Sequence, residues 1–151
     1  MAHLSDSREQ RIAEKLILEG LEDYIGIPSG SLNTKRIMLD NVVSVEIDGY
    51  SDEYKIMVEV FARIGKLAPA HQEKLANDIL KLNLAEDILK IRYKKYLAVC
   101  GEDAERYLTG SSWKAFAVKY YDFEVVRIDL SKDNREMIIK AQQRQKEGMK
   151  L

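Results

Sequence analysis

VEIDGYSDEYKIMVEVFARIG, residues 45–65, is two runs of β-branched and apolar residues on either side of the polar segment GYSDE, the pattern of an antiparallel hairpin. The rest of the chain can be read outward from it. Upstream, RIML (36–39) is another extended run, and Asp40-Asn41 is turn chemistry between it and VVSVEID (42–48). Together they predict a three-stranded antiparallel meander. Before the meander, Ile12, Leu16, Ile17, Leu21 and Tyr24 recur at three- and four-residue steps from Ser7 to Ile25, and Gly26 with Pro28 ends the pattern. That is an amphipathic helix of about five turns.

Downstream, Gly65 and Pro69 close the hairpin and open a helix from Ala70 to about Lys90. This helix is apolar on two sides, with Leu75, Ile79, Leu82 and Leu89 on one and Ala76, Leu80, Leu84 and Ile88 on the other, so cover on both sides is expected. YLAVC (96–100) reads as a buried strand, residues 101–122 as a broken or second helix with Trp113 and Phe116 in the core, and FEVVRIDL (123–130) as a strand. Strand, helix and strand in this spacing imply a parallel crossover. Asp133 and Glu136 have the spacing of a capping box at the head of a last helix. The expected fold is α/β with an α+β core: a helix, the antiparallel meander, then alternating helix–strand units forming one mixed sheet flanked by helices. One domain over residues 1–151 is expected, frayed at Met1–Asp6 and Gly148–Leu151.

Composition narrows the chemistry. The 151 residues include 32% charged side chains and a net charge of −1, and no apolar run approaches the ~18 residues of a membrane span, so a cytoplasmic protein without membrane contact is expected. Cys100 stands alone, excluding an internal disulfide, and reads as a small buried residue. With only His3 and His71 besides, any metal would be held by oxygen. Charge is unevenly spread: residues 1–62 hold 6 Lys/Arg against 12 Asp/Glu, and residues 63–100 hold 8 against 4. The acids come first and the bases follow the hairpin.

Three of those acids, Glu46, Asp48 and Glu59, lie on the hairpin itself. Side chains alternate along strands, so Ser44, Glu46 and Asp48 share one face, as do Met57, Glu59, Phe61 and Arg63. A two-residue turn at Asp52-Glu53 sets Glu46 opposite Glu59, and a four-residue turn sets Ser44 there. Converging carboxylates repel, so they are solvated and balanced by bases such as Arg63 and Lys55, or they hold a hard divalent cation. Met57 and Phe61 beside Glu59 favour cover over solvent. In the first turn after Pro69, Gln72, His71 and Lys74, with Arg63 and Lys66 nearby, make a basic helix start suited to a phosphate.

A helix, a meander with an acid on its second strand and a Glu on its third, then a helix and a further strand, resembles the core of the restriction-endonuclease-like, PD-(D/E)XK, nuclease superfamily over residues 10–101. The stretches VEIDGYS, EVFARIGKLAPAHQEK, DILKL, GSSWKAF and AQQRQ are also similar to those of a widespread group of short bacterial proteins without an assigned activity. The superfamily resemblance implies Mg²⁺ or Mn²⁺ held by Glu46 or Asp48 together with Glu59, and metal-assisted hydrolysis of a nucleic-acid phosphodiester. It also implies a Lys two residues after the second acid, where this chain has Phe61; Lys66 or Lys74 would then supply the ammonium, and Arg63 would steady the phosphate. The other reading is a non-catalytic module of the same fold that binds a protein or a nucleic acid, in keeping with Phe61 and the near-zero net charge.

Overall fold

A computed structural model describes residues 4–149. In chain order the elements are α1 (Leu4–Ile25), β1 (Asn33–Met38), β2 (Ser44–Ser51), β3 (Ile56–Phe61), α2 (Pro69–Leu89), β4 (Lys94–Val99), α3 (Glu102–Thr109), α4 (Trp113–Tyr120), β5 (Phe123–Arg127) and α5 (Lys132–Met149). The five strands form one sheet in the order β1-β2-β3-β4-β5. The first two pairings are antiparallel and the last two parallel, which is the mixed sheet expected from the sequence. β3 is where the two modes meet, and every one of its residues is buried. A strand covered on both faces reads as a continuous apolar run, and IMVEVF is such a run with one interruption, Glu59.

Helices cover both faces. On one, Ala13, Ile17 and Leu21 of α1 and Ile138 of α5 pack over Ile56, Val58, Val60, Tyr96 and Ala98. On the other, Leu75, Ile79, Leu82 and Ala85 of α2, with Ala104, Leu108 and Val118 from α3 and α4, pack over Ile47, Met57, Phe61, Leu97 and Val99. The loop after α1 is tied down by buried Glu22, whose carboxylate accepts from the backbone N–H of Gly30 (3.1 Å) and Leu32 (2.8 Å). No helix among the described residues is long and apolar enough to cross a membrane.

Several local expectations are corrected. The first helix starts at Leu4 rather than Ser7, and α5 runs to Met149; of the ends expected to fray, residues 1–3 and 150–151 lie outside the described residues. Ser131, not Asp133, caps α5, its hydroxyl accepting from Asn134 N–H at 3.2 Å. The second apolar side of α2 is uncovered, with Leu80, Leu84 and Ile88 exposed, because the sheet covers only one side of the helix. Trp113 and Phe116 are likewise outside the core: α4 turns Ala115 and Val118 inward and leaves both aromatics in water.

Candidate active site

The site begins with a break in strand pairing. β2 pairs with β3 only through Gly49–Val58, Tyr50–Met57 and Ser51–Ile56, so a four-residue turn, 52–55, joins them. Continuing this register sets Glu59 beside Asp48, rather than opposite Glu46 or Ser44 as either sequence-based register had it. Across the other edge of β2, Asn33 pairs with Tyr50 while Lys35 pairs with Ile47, so three steps of β2 oppose two of β1. This is a β-bulge. Ile47 and Tyr50 both pack on the α2 side, whereas a Cβ on Gly49 would lie 2.7 Å from Leu18 Cδ2 of α1. The extra residue in the Asp48-Gly49 stretch splits β2 from β3 and turns Asp48 into the gap.

The two acids fill that gap with the hydrogen bonds the ladder would have made. Asp48 N–H donates to Glu59 Oε2 (2.8 Å), and Val60 N–H donates to Asp48 Oδ2 (2.9 Å). On the α2 side, Lys81 Nζ donates to Glu59 Oε1 (2.5 Å) and to the Glu46 carbonyl (3.0 Å). One turn back along α2, Asp78, itself buried, accepts from Lys74 Nζ at 3.0 Å. Lys74 also lies 5.9 Å from the Phe61 ring. On the α1 side, Asp48 opens onto a cleft of about 500 Å³ walled by Arg11, Glu14, Lys15, Leu18 and Thr34.

Electrostatically the fork is short of positive charge, with four carboxyl groups (Glu14, Asp48, Glu59, Asp78) facing two ammonium groups (Lys74, Lys81). Glu59, 2% exposed, is pushed up to about 8, first by burial and then by the charge of Asp48; its bonds to Lys81 and to Asp48 N–H only partly oppose this. Burial also raises Asp48, against the Val60 N–H and the charges of Lys74 and Lys81. Glu14 is raised by burial and by Asp48, with Lys74 opposing. For Lys81, burial alone would lower the ammonium, but the hydrogen bond and charge of Glu59, with Asp78 and Asp48, outweigh it and the net shift is upward. Near neutral pH, Asp48 and Glu59 therefore behave as a pair that keeps a proton beside a fully charged Lys81.

Of the residues singled out from sequence, Asp48, Glu59 and Lys74 converge at the fork. Glu46 does not: its side chain is exposed and pairs with Arg36 of β1 at 3.2 Å, because it lies on the sheet face opposite Ile47 and α2. Lys66, Arg63 and Gln72 lie beyond the end of β3 and at the start of α2. The Lys66 carbonyl accepts from Arg63 Nε (3.5 Å), Arg63 borders a depression with His71 and Gln142, and none of the three is bonded to the fork among the described residues. His71 is a structural cap, its Nδ1 accepting from Ala68 N–H at 2.9 Å. Sequence reasoning missed Lys81, Asp78 and Glu14. A signal for two of them existed: Lys74, Asp78 and Lys81 follow each other at i, i+4 and i+7 on one flank of α2, and Asp78 takes a buried position beside Leu75, Ile79 and Leu82.

A cation would find two protein carboxylates here. Among the described residues no three Asp, Glu, His or Cys side chains group closely enough to cage a metal. Mg²⁺ is commonly held by one or two carboxylates and completed by water and substrate phosphate, which suits this donor set. Asp48 Oδ1 takes no hydrogen bond among the described residues, and the fork's excess of carboxyl groups is what a divalent charge would offset. Comparison with family models, curated proteins and solved structures gives no match.

Proposed function

We propose that the fork is the active centre of a small Mg²⁺- or Mn²⁺-dependent phosphodiester hydrolase acting on nucleic acid, on the plan of the restriction-endonuclease-like enzymes. The observation that carries this reading is the juxtaposition of Asp48, Glu59 and Lys81: a buried Glu59 beside a half-buried Asp48 that lines a cleft, with an ammonium in direct contact with Glu59. Asp48 and Glu59 are the residues that would hold the cation, and bound there it would supply charge stabilisation for the phosphoryl oxygens and acidify a water. Lys81 takes the role expected of the Lys missing at position 61, reaching the same carboxylate from α2 rather than from β3. It fixes Glu59 Oε1, donates a second proton to the Glu46 carbonyl and keeps one ammonium proton beside the pair. Val60 N–H orients Asp48, and Lys74, paired with Asp78 on the α2 flank, is in direct contact with neither acid. Arg11 and Lys15, on the cleft wall, are placed to meet phosphates of a chain laid along α1.

A second reading has its own observation. Phe61 is packed under α2, and Lys81 already neutralises Glu59, so the fork can persist as a structural cluster in a non-catalytic binding module. Cleavage of a panel of single- and double-stranded DNA and RNA with Mg²⁺ or Mn²⁺, run beside Asp48→Asn and Glu59→Gln, separates the two. Metal-dependent cleavage lost in both variants is the expected result. Absence of cleavage, with no Mn²⁺ shift in the wild-type melting temperature, would overturn the hydrolase reading in favour of the module.

A further inference from the structure

The two places where burial read from the sequence fails belong to one surface. Leu80 is 67% exposed on α2, and Trp113, Phe116 and Tyr120 are 74%, 69% and 71% exposed on α4. Leu84, Ile88 and Tyr121 continue the patch, and a groove lined by Ile79, Leu80, Leu84, Trp113 and Ala117 runs between the two helices. Lys74, Asp78 and Lys81 lie on the other flank of α2, so this surface is separate from the fork.

We infer that this face is the interface of a two-fold homodimer. Large aromatic side chains carry 150–250 Å² each, so at these exposures the patch leaves roughly 800 Å² of mostly apolar surface in water. The largest apolar patch on a typical monomer is about 300–600 Å². About 800 Å² is the share each partner contributes to a standard stable interface, and enrichment in Trp, Tyr and Phe is the composition of an interface centre. Charge selects a second copy as the occupant. The α2 side of the groove is edged by Asp87, with Glu73 two heptad-like steps before it, whereas the α4 side carries Lys114. A two-fold axis along the groove sets α2 of one copy on α4 of the other, so each Asp87 faces the partner's α4 and each acidic edge meets a basic one.

The test is sedimentation velocity and light scattering of the full chain at micromolar concentration, for wild type, Leu80→Lys and Phe116→Lys. Wild type is expected at twice the chain mass of 17.4 kDa, and each variant at the single-chain mass. Both substitutions fall on exposed positions, and unchanged far-UV circular dichroism confirms that the fold is kept. Asp87→Lys and Lys114→Glu should each weaken association, and mixing the two should restore a heterodimer. A monomeric wild type, including one that binds some other protein through this face, overturns the inference. So does a dimer that survives both lysine substitutions, and so does failure of the mixed charge-swap pair to associate.

Discussion

Raising the pH from 5 to 9 in the absence of metal should cost the wild-type protein stability that Glu59→Gln does not lose. The carboxyl of Glu59 moves from 4.5 in an unfolded chain to about 8 in the fold, first because it is buried and then because Asp48 repels its charge. A folded-state value above the unfolded one means that the folded protein keeps a proton that the unfolded chain has released. Its stabilising contribution is complete below pH 4.5 and is lost as the pH rises through 8. At 1.36 kcal/mol per pH unit, that interval corresponds to at most about 5 kcal/mol, shared with Asp48, which is raised by the same surroundings. Gln at 59 has one oxygen in place of two, so it cannot accept from both Lys81 and Asp48 N–H; the variant starts lower by about 1–3 kcal/mol, and the slope rather than the absolute stability is diagnostic. His71 works in the opposite direction: burial and then Arg63 lower it, so its contribution is complete above pH 6.5 and is lost as the pH falls below that, but it is common to both proteins and cancels in the difference. Urea unfolding at unit pH steps in EDTA measures both curves. If they run parallel from pH 5 to 9, Glu59 is not held protonated by its surroundings and the electrostatic account of the fork fails.

Other perturbations follow from single contacts. Lys81→Met removes the ammonium beside Glu59, and on the hydrolase reading it should lower the cleavage rate by about 10²–10⁴-fold while leaving the circular dichroism spectrum unchanged; a rate within a few-fold of wild type would exclude Lys81 from the chemistry. Phe61→Ala empties a buried ring site beneath α2 and should cost about 3–5 kcal/mol in chemical denaturation, so a cost below 1 kcal/mol would mean the ring is not core. Gly101→Ala would put a Cβ 2.7 Å from the Arg63 carbonyl oxygen and 3.3 Å from Ile64 Cα, both backbone atoms, and should lower the melting temperature; an unchanged melt would show that the β3 exit loop can move away.

How much of this was legible follows from where the period is strong. The hairpin and the crossover from β4 to β5 announce themselves through β-branched runs and turn residues, and the order of elements follows from them, whereas the parallel pairing of β3 with β4 across α2 carried no separate signal. The acids Asp48 and Glu59 were visible as polar interruptions in strand sequence. Their meeting was not, because a bulge adds one residue to β2 without any glycine or proline signal beyond Gly49, and alternation counted past it assigns faces wrongly. That is why Glu46 was grouped with Glu59 and belongs instead with Arg36. Lys81 was missed because a motif that expects an ammonium at position 61 gives no reason to look twenty residues later, although α2 returns across the strand and brings it there. Trp113, Phe116 and Leu80 were misplaced because an apolar helix face records that something covers it, not that the cover comes from the same chain.

The acids themselves are poorly explained by folding alone. At the point where β2 and β3 part, two ordinary ladder hydrogen bonds would join the strands without a charged group. Instead Asp48 and Glu59 supply those bonds through side chains, with a bulge interrupting β2 and a carboxyl held far from its preferred ionisation. Each feature costs stability: a buried carboxyl must be desolvated, two adjacent acids repel, and a Lys must be immobilised to offset them. A sheet selected only to hold together would carry apolar residues at 48 and 59 and a continuous ladder. On the hydrolase reading that cost is offset by what the acids beside the cleft bind and do. A variant that removes the acids together with their ammonium, Asp48→Val, Glu59→Leu and Lys81→Met, leaves only the N–H groups of residues 48 and 60 without their side-chain acceptors, so it should cost no more than about 1–3 kcal/mol for each at pH 8 while losing every metal-dependent property; a larger loss of stability would return the fork to a purely structural role.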